Sequence, residues 1–177
     1  GVEHSVVRHP PVTIPAGDTI LDVLCWRAEH QPDQTAYVYL REGLSADSVL
    51  TYRDLLTRAR SIASYLLARF APGDRLLLVY PPGLEFVQAF WGALYAGLIA
   101  VPVPPPDAFR LKAGVARVQR LAEDAGAAGA LTTAQMLETL RSQELVASLH
   151  QWVSSDQALS ADSSGWTDLQ QLPTHLA

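Results

Sequence analysis

The side chains best suited to chemistry are scattered through this chain. Histidines stand at positions 4, 9, 30, 150 and 175, with no HxH or HExxH spacing that would hold a metal, and each reads as a solvated surface residue. Cys25 is the only cysteine, which excludes an internal disulfide and suits a reducing compartment. It follows Ile20, Leu21 and Leu24 on an apolar helix face, so it reads as a small buried hydrophobe rather than a catalytic thiol. The adjacent carboxylates Glu123 and Asp124 lie beside a helix-ending Gly126 and read as a solvated face. No GxGxxG follows a strand, and neither GxxxxGK[ST] nor GxSxG occurs. Dinucleotide cradle, phosphate loop and nucleophile elbow therefore all lack support. Three features remain: an aromatic stripe at helical spacing (Phe86, Phe90, Trp91, Tyr95), the run Pro104-Pro105-Pro106, and the turn Tyr80-Pro81-Pro82-Gly83-Leu84-Glu85-Phe86.

These features sit between elements that the sequence spells out. Thr19 with Asp22 forms a capping-box pattern that opens a helix ending before Pro32. Thr35–Arg41 and Ser48–Thr51, joined by a polar Gly-containing loop, read as a hairpin. From Tyr52 the period turns helical, with Leu55, Ala59, Ile62, Leu66 and Phe70 on one stripe and Arg53, Arg58, Arg60 and Arg69 off it. Leu76–Tyr80 is a short, continuously apolar run, as expected of a strand buried on both faces of a parallel sheet. A helix follows from Leu84 to Ala96, with Phe86, Val87, Phe90, Trp91 and Leu94 inward and Gly97 as its C-terminal glycine. Ile99–Val101 is the next strand, cut at Pro102. Helices over Leu111–Ala125 and Ala134–Leu149, a strand at Ala128–Leu131 and a short strand at Trp152-Val153 complete the order. The alternation predicts an α/β fold, a doubly wound and mostly parallel sheet with flanking helices. The expected organisation is an N-terminal arm over 1–17, the α/β subdomain over 18–153 and a polar tail over 154–177.

Composition limits the function classes. The chain has 177 residues, 49% of them hydrophobic and 18% charged, as expected of one globular domain. Its net charge is −5 and Lys112 is the only lysine, so nucleic acid is not an expected partner. Proline and glycine interrupt the longest apolar segments, so no membrane span is expected. Val6-Val7 is broken at once by Arg8-His9-Pro10-Pro11, so no signal peptide is expected and the default location is cytoplasmic.

Three segments carry a family likeness. Leu50-Thr51-Tyr52-Arg53-Asp54-Leu55 resembles the first core motif of the adenylate-forming superfamily; physically, Thr51 can cap the helix with Asp54 three residues on. Leu94–Pro102, with the sequence LYAGLIAVP, resembles the second core motif, whose glycine permits a tight helix-to-strand turn. Gly73-Asp74-Arg75, Tyr80–Phe86 and Pro102–Pro106 together resemble the fatty acyl-AMP ligase branch. Thr132-Thr133 matches a strand-ending "LTT" of such ligases, and Leu172–Ala177 resembles the approach to their Ser/Thr/Gly-rich phosphate loop. The resemblance covers the chain from about Asp18 onward.

The resemblance implies the front part of an enzyme that uses ATP and Mg to convert a fatty acid into an acyl-adenylate. The acyl group then passes to the phosphopantetheine thiol of an acyl carrier protein. The phosphate loop, later acidic residues and a mobile C-terminal lysine that do this chemistry match no position in this sequence. No catalytic, nucleotide-binding or metal-binding residue is therefore assigned, and the chain alone is expected to be inactive. The expected substrate or acceptor path comprises Pro104, Pro105, Pro106, Trp91 and Tyr95. In coenzyme A-using relatives the loop equivalent to Pro102–Pro106 lies near the acceptor's path. Three prolines in a row remove three N–H donors and stiffen the backbone, which makes a poor phosphate binder and favours a carrier protein over free coenzyme A. A rigid crossover is the plainer account of that loop. For the aromatic stripe, core packing is the plainer account and contact with a long acyl chain the sharper one. An acyl-CoA ligase or a peptide-synthetase adenylation domain is the nearest alternative, and a non-catalytic docking module the alternative of another class. The rest of the polypeptide, or a second copy of the chain, is expected to cover surface left open.

Overall fold

The computed structural model describes residues 19–40, 46–144 and 151–160. The expected N-terminal arm, the hairpin loop, the far end of the helix after Ala134 and the chain beyond Ser160 lie outside these residues, as do the other four histidines. His30 is exposed, with its ring stacked on Trp26. The elements run α1 (Ile20–His30), β1 (Thr35–Leu40), β2 (Ala46–Thr51), α2 (Tyr52–Leu67), β3 (Arg75–Val79), α3 (Leu84–Tyr95), β4 (Ile99–Val103), a 3-10 turn (Ala108–Arg110), α4 (Leu111–Ala125), β5 (Gly129–Thr132), α5 (Ala134–Ser142), β6 (Trp152–Ser154) and α6 (Ser155–Ser160).

Four strands form one wholly parallel sheet in the order β4-β3-β5-β6, and β1 with β2 forms a separate antiparallel hairpin. The continuous apolar run sits where such a run must sit. Leu76, Leu77, Leu78 and Val79 on central β3 are all 0% exposed. Because strand side chains alternate, Leu76 and Leu78 enter one core with Ile62, Leu66, Ala89 and Ala93, while Leu77 and Val79 enter a second with Val115, Val118, Leu137 and Leu140. Helices α2, α3 and α6 thus cover one face, and α4 and α5 the other. A third cluster, centred on Leu24, Leu50, Leu55 and Trp91, seats α1 and the hairpin on α2 and α3.

The helix boundaries follow from local chemistry. Thr19 and Asp22 exchange reciprocal bonds (2.9 and 3.2 Å) at the start of α1. Thr51 caps α2 by accepting from the Asp54 N–H at 3.2 Å, and Thr133 caps α5 from the Met136 N–H at 3.0 Å. Gly97 adopts φ 70° just past α3, the left-handed conformation that glycine enters without a Cβ penalty.

Three local expectations are corrected. The fully enclosed side of α3 is Gln88, Ala89, Trp91, Gly92 and Ala93, while Phe86, Val87, Phe90 and Leu94 are only half-buried. Helix α2 approaches α3 most closely at a glycine: a Cβ on Gly92 would fall 2.4 Å from Ile62 Cγ2. Next, β4 continues through Pro102 to Val103, since it is an outer strand of the described sheet and a missing N–H is tolerated at an edge. Last, the chain does not turn into a plain polar tail after Val153. Ser154 ends β6, and α6 packs onto the sheet with Ser155 and Ala158 buried.

Candidate functional site

In this strand order the chain leaves β3 for β4 on one side and then returns to β5 on the other. The C-terminal ends of β3 and β5 therefore carry connections that diverge, which is where open α/β sheets bind ligands. Tyr80 follows β3 there and Thr132 ends β5, with Ser155 just beyond β6. The Tyr80 hydroxyl lies within hydrogen-bond reach of the Thr132 carbonyl (3.3 Å) and forms a short hydrogen bond with the Ser155 hydroxyl. The Thr132 hydroxyl donates to the Val79 carbonyl at 2.7 Å. All three side chains are buried, so these bonds close the crevice floor with satisfied polar groups.

The turn over this floor is set by Gly83, which begins α3 with φ 156°, a backbone region closed to other residues even though no atom crowds the position. That turn brings Glu85 into the first helical turn of α3, with Oε2 buried and without a hydrogen-bond partner among the described residues. Burial foremost, and the Asp156 carboxylate in second place, push the Glu85 pKa above the usual carboxylate range. Burial likewise holds the Tyr80 phenol far above the ordinary tyrosine range, so it remains an O–H donor. The ionisable groups here are the Glu85 and Asp156 carboxyls and the neutral Tyr80 phenol. None of these three groups supplies a cation for a polyphosphate. Among the described residues no cluster of three or more His, Cys, Asp or Glu side chains could hold a metal ion.

The five residues expected on a substrate path divide between two places. Pro104–Pro106 lie against α4: a Cβ on Gly114 would fall 2.7 Å from Pro106 Cβ, and the Arg117 guanidinium donates to the Pro104 carbonyl at 3.1 Å. Trp91 and Tyr95 face the other way, toward α1 and the hairpin. The Trp91 indole N–H donates to the Tyr37 hydroxyl at 3.4 Å, and the Tyr95 hydroxyl donates to the Leu21 carbonyl at 3.3 Å. Cys25 is half-buried rather than enclosed, with Sγ 3.0 Å from the Tyr95 hydroxyl. Trp91 also floors an open depression of about 220 Å³ lined by Ile20, Leu24, Tyr37, Tyr52 and Leu55, smaller than the usual ligand pocket of roughly 300–1,000 Å³. The sequence reading missed Glu85, Ser155 and Asp156 at the crevice. The pattern Ser154-x-x-Gln157 is a capping box, made here by reciprocal bonds of 3.3 and 3.2 Å, and it could have placed α6 and hence Ser155.

A parallel α/β sheet whose switch point is floored by the "LTT" threonine and roofed by the YPPG turn defines the class, and the comparisons agree. The family of AMP-binding enzymes matches residues 24–175, so the chain belongs to that family. It is 36% identical over 156 residues to the medium-chain-fatty-acid–[acyl-carrier-protein] ligase JamA of Moorena producens, covering 86% of this chain and 26% of that protein. It is 39% identical over 131 residues to Disco-interacting protein 2 homolog B-A of Danio rerio, covering 73% of this chain and 8% of that one. The fold superposes on the fatty acyl-adenylate ligase of L. pneumophila, solved in complex with acyl adenylate and pyrophosphate. The TM-score is 0.69 and the identity 32%, over 84% of this chain and 25% of that one. The likeness to fatty acyl-AMP ligases read from the motifs is thus borne out, and the chain spans about a quarter of the ligases it matches. Among the described residues no helix is long and apolar enough to cross a membrane.

Proposed function

We propose that this chain is the front part of a ligase that activates a fatty acid with ATP. The carboxylate attacks the α-phosphate to give acyl-adenylate and pyrophosphate, and a phosphopantetheine thiol of an acyl carrier protein then displaces AMP to form the thioester. The single observation that carries the reading is the 36% identity to a fatty-acid–carrier-protein ligase over 86% of this chain. In this reading the nucleotide and its Mg are held mainly by residues other than those described, since Glu85, Asp156 and Tyr80 supply no cation for phosphate. What this chain contributes is the sheet, and an acceptor side formed by Pro104–Pro106. The proline loop is stiff and poor in donors, so it favours a carrier-borne thiol over the phosphates of free coenzyme A. Trp91 and Tyr95 serve the same enzyme by fixing α3 to α1 and the hairpin rather than by touching substrate. ATP supply and a reduced Cys25 both suit a cytoplasmic reaction.

The test is ATP–pyrophosphate exchange by the full-length ligase with fatty acids, amino acids and no acid, followed by product analysis with carrier protein or coenzyme A. Exchange that depends on fatty acid, with thioester formed on the carrier, is expected. Exchange driven only by amino acids would place the protein among adenylation domains, and thioester formed on coenzyme A alone would overturn the carrier assignment.

A further inference from the structure

The most conspicuous exposed side chain among the described residues is Phe109, which is 97% exposed. It does not hang from a loose loop. Asp107 caps the 3-10 turn that bears it, accepting the Phe109 N–H at 2.9 Å, and the Arg110 N–H returns to the Asp107 carbonyl at 3.0 Å. A rigid turn thus holds an aromatic ring in water, directly after the proline loop.

The segment that follows Asp107 is rich in cations in a chain that is otherwise acidic. Between Ala108 and Arg120 stand Arg110, Lys112, Arg117 and Arg120 and no carboxylate, although the whole chain carries 18 Asp and Glu against 13 Lys and Arg. Arg110, Lys112 and Arg120 are exposed, and among the described residues none of the three forms an ion pair. Their placement also opposes the helix they border. Arg110 and Lys112 stand at the N-terminal end of α4, where the macrodipole favours carboxylates, while Arg117 and Arg120 lie farther along the helix. Local stability does not explain that order, and an arrangement that breaks a local rule without a local gain points to recognition.

We propose that Phe109, Arg110, Lys112 and Arg120 form a docking surface for an acidic protein, namely the acyl carrier protein that receives the acyl group. This identification of the partner rests on the proposed function, whereas the sign and shape of the surface do not. Charge complementarity selects an acidic partner, and the aromatic ring supplies the desolvated anchor that such interfaces need. Arg117, which ties α4 to the Pro104 carbonyl, makes the surface continuous with the acceptor loop. An anionic membrane fits less well. The apolar stripe of α4 (Leu111, Val115, Val118, Ala122) is buried on the sheet and cannot enter lipid.

The test uses the full-length ligase with its carrier protein, comparing wild type, Phe109→Ala and Arg110→Glu/Lys112→Glu. All positions are exposed, and Arg120→Glu serves as a second charge reversal if the double variant fails to fold. Fatty-acid-dependent ATP–pyrophosphate exchange should be unchanged. The KM for the carrier should rise about tenfold in each variant, and the charge-reversed forms should lose the salt sensitivity of that KM. Unchanged transfer to the carrier, with exchange intact, overturns the docking surface and leaves the function standing; absent exchange in wild type overturns the function instead. Sedimentation with phosphatidylserine vesicles that Phe109→Ala abolishes, with carrier KM unmoved, overturns the protein-docking assignment in favour of lipid.

Discussion

The two ends of the crevice edge are built on opposite plans. Around Tyr80, Thr132 and Ser155 the chain buries its hydroxyls and pairs each of them, so the switch point of the sheet is sealed from below. Around Pro104–Arg120 it leaves an aromatic ring and three cations in solvent, the cations without ion pairs among the described residues. The first region costs stability if altered and the second does not. Conformational integrity and recognition are thus placed on neighbouring strand ends of one sheet, where substitutions can tell them apart.

The sharpest contrast comes from the core beneath the sealed region. Leu78→Ala on β3, fully buried between α2 and α3, should lower unfolding free energy by about 2–5 kcal/mol in urea titrations. A smaller loss would mean that the sheet is less tightly enclosed than described. Gly92→Ala tests the helix contact on the same face, where the new Cβ meets Ile62; a loss of ~1–3 kcal/mol is expected from overpacking, measured the same way. Tyr80→Phe removes one hydroxyl from the sealed floor and leaves the Ser155 hydroxyl with only its 3.5 Å contact to the Thr132 carbonyl. The expected cost is again about 1–3 kcal/mol, against less than ~0.5 kcal/mol for Phe109→Ala on the exposed rim. Equal costs at Tyr80 and Phe109 would erase the distinction between the regions.

Glu85 gives the smallest and most specific effect. Burial, with Asp156 second, raises its pKa in the folded protein above the unfolded value. Its contribution is therefore complete at pH below the unfolded carboxylate pKa and is lost as pH climbs through the raised folded value. Wild-type stability measured across that window should fall relative to Glu85→Gln, whose side chain does not titrate. Parallel profiles for the two proteins would show that the carboxyl is solvated.

Much of this was legible in the sequence, for identifiable reasons. Leu76–Val79 could only be a strand covered on both faces, and Leu111–Ala125 declared its helix by period and by Gly126. Thr19, Thr51 and Gly97 announced their caps because those bonds are local. Contacts between distant elements were less visible. Nothing near Gly92 reveals that Ile62 lies against it, so the close approach of α2 to α3 could not be read from either helix alone. Pro102 argues against a strand by its own chemistry, and only the position of β4 at an edge removes the objection. Helix α6 is too short for periodicity, which left its capping box as the only signal. The placement of the five candidate path residues was hidden for a similar reason. Trp91 and the three prolines are near in sequence, yet the sheet and α4 send them to different faces.

The central claim is that this chain supplies scaffold and acceptor surface while the adenylation chemistry is completed by other parts of a longer ligase. Its most direct test is ATP–pyrophosphate exchange with a long-chain fatty acid, run on these 177 residues alone and on the full-length ligase. No exchange by the chain alone and fatty-acid-dependent exchange by the full-length ligase is the predicted result. Turnover by the 177-residue chain would contradict it.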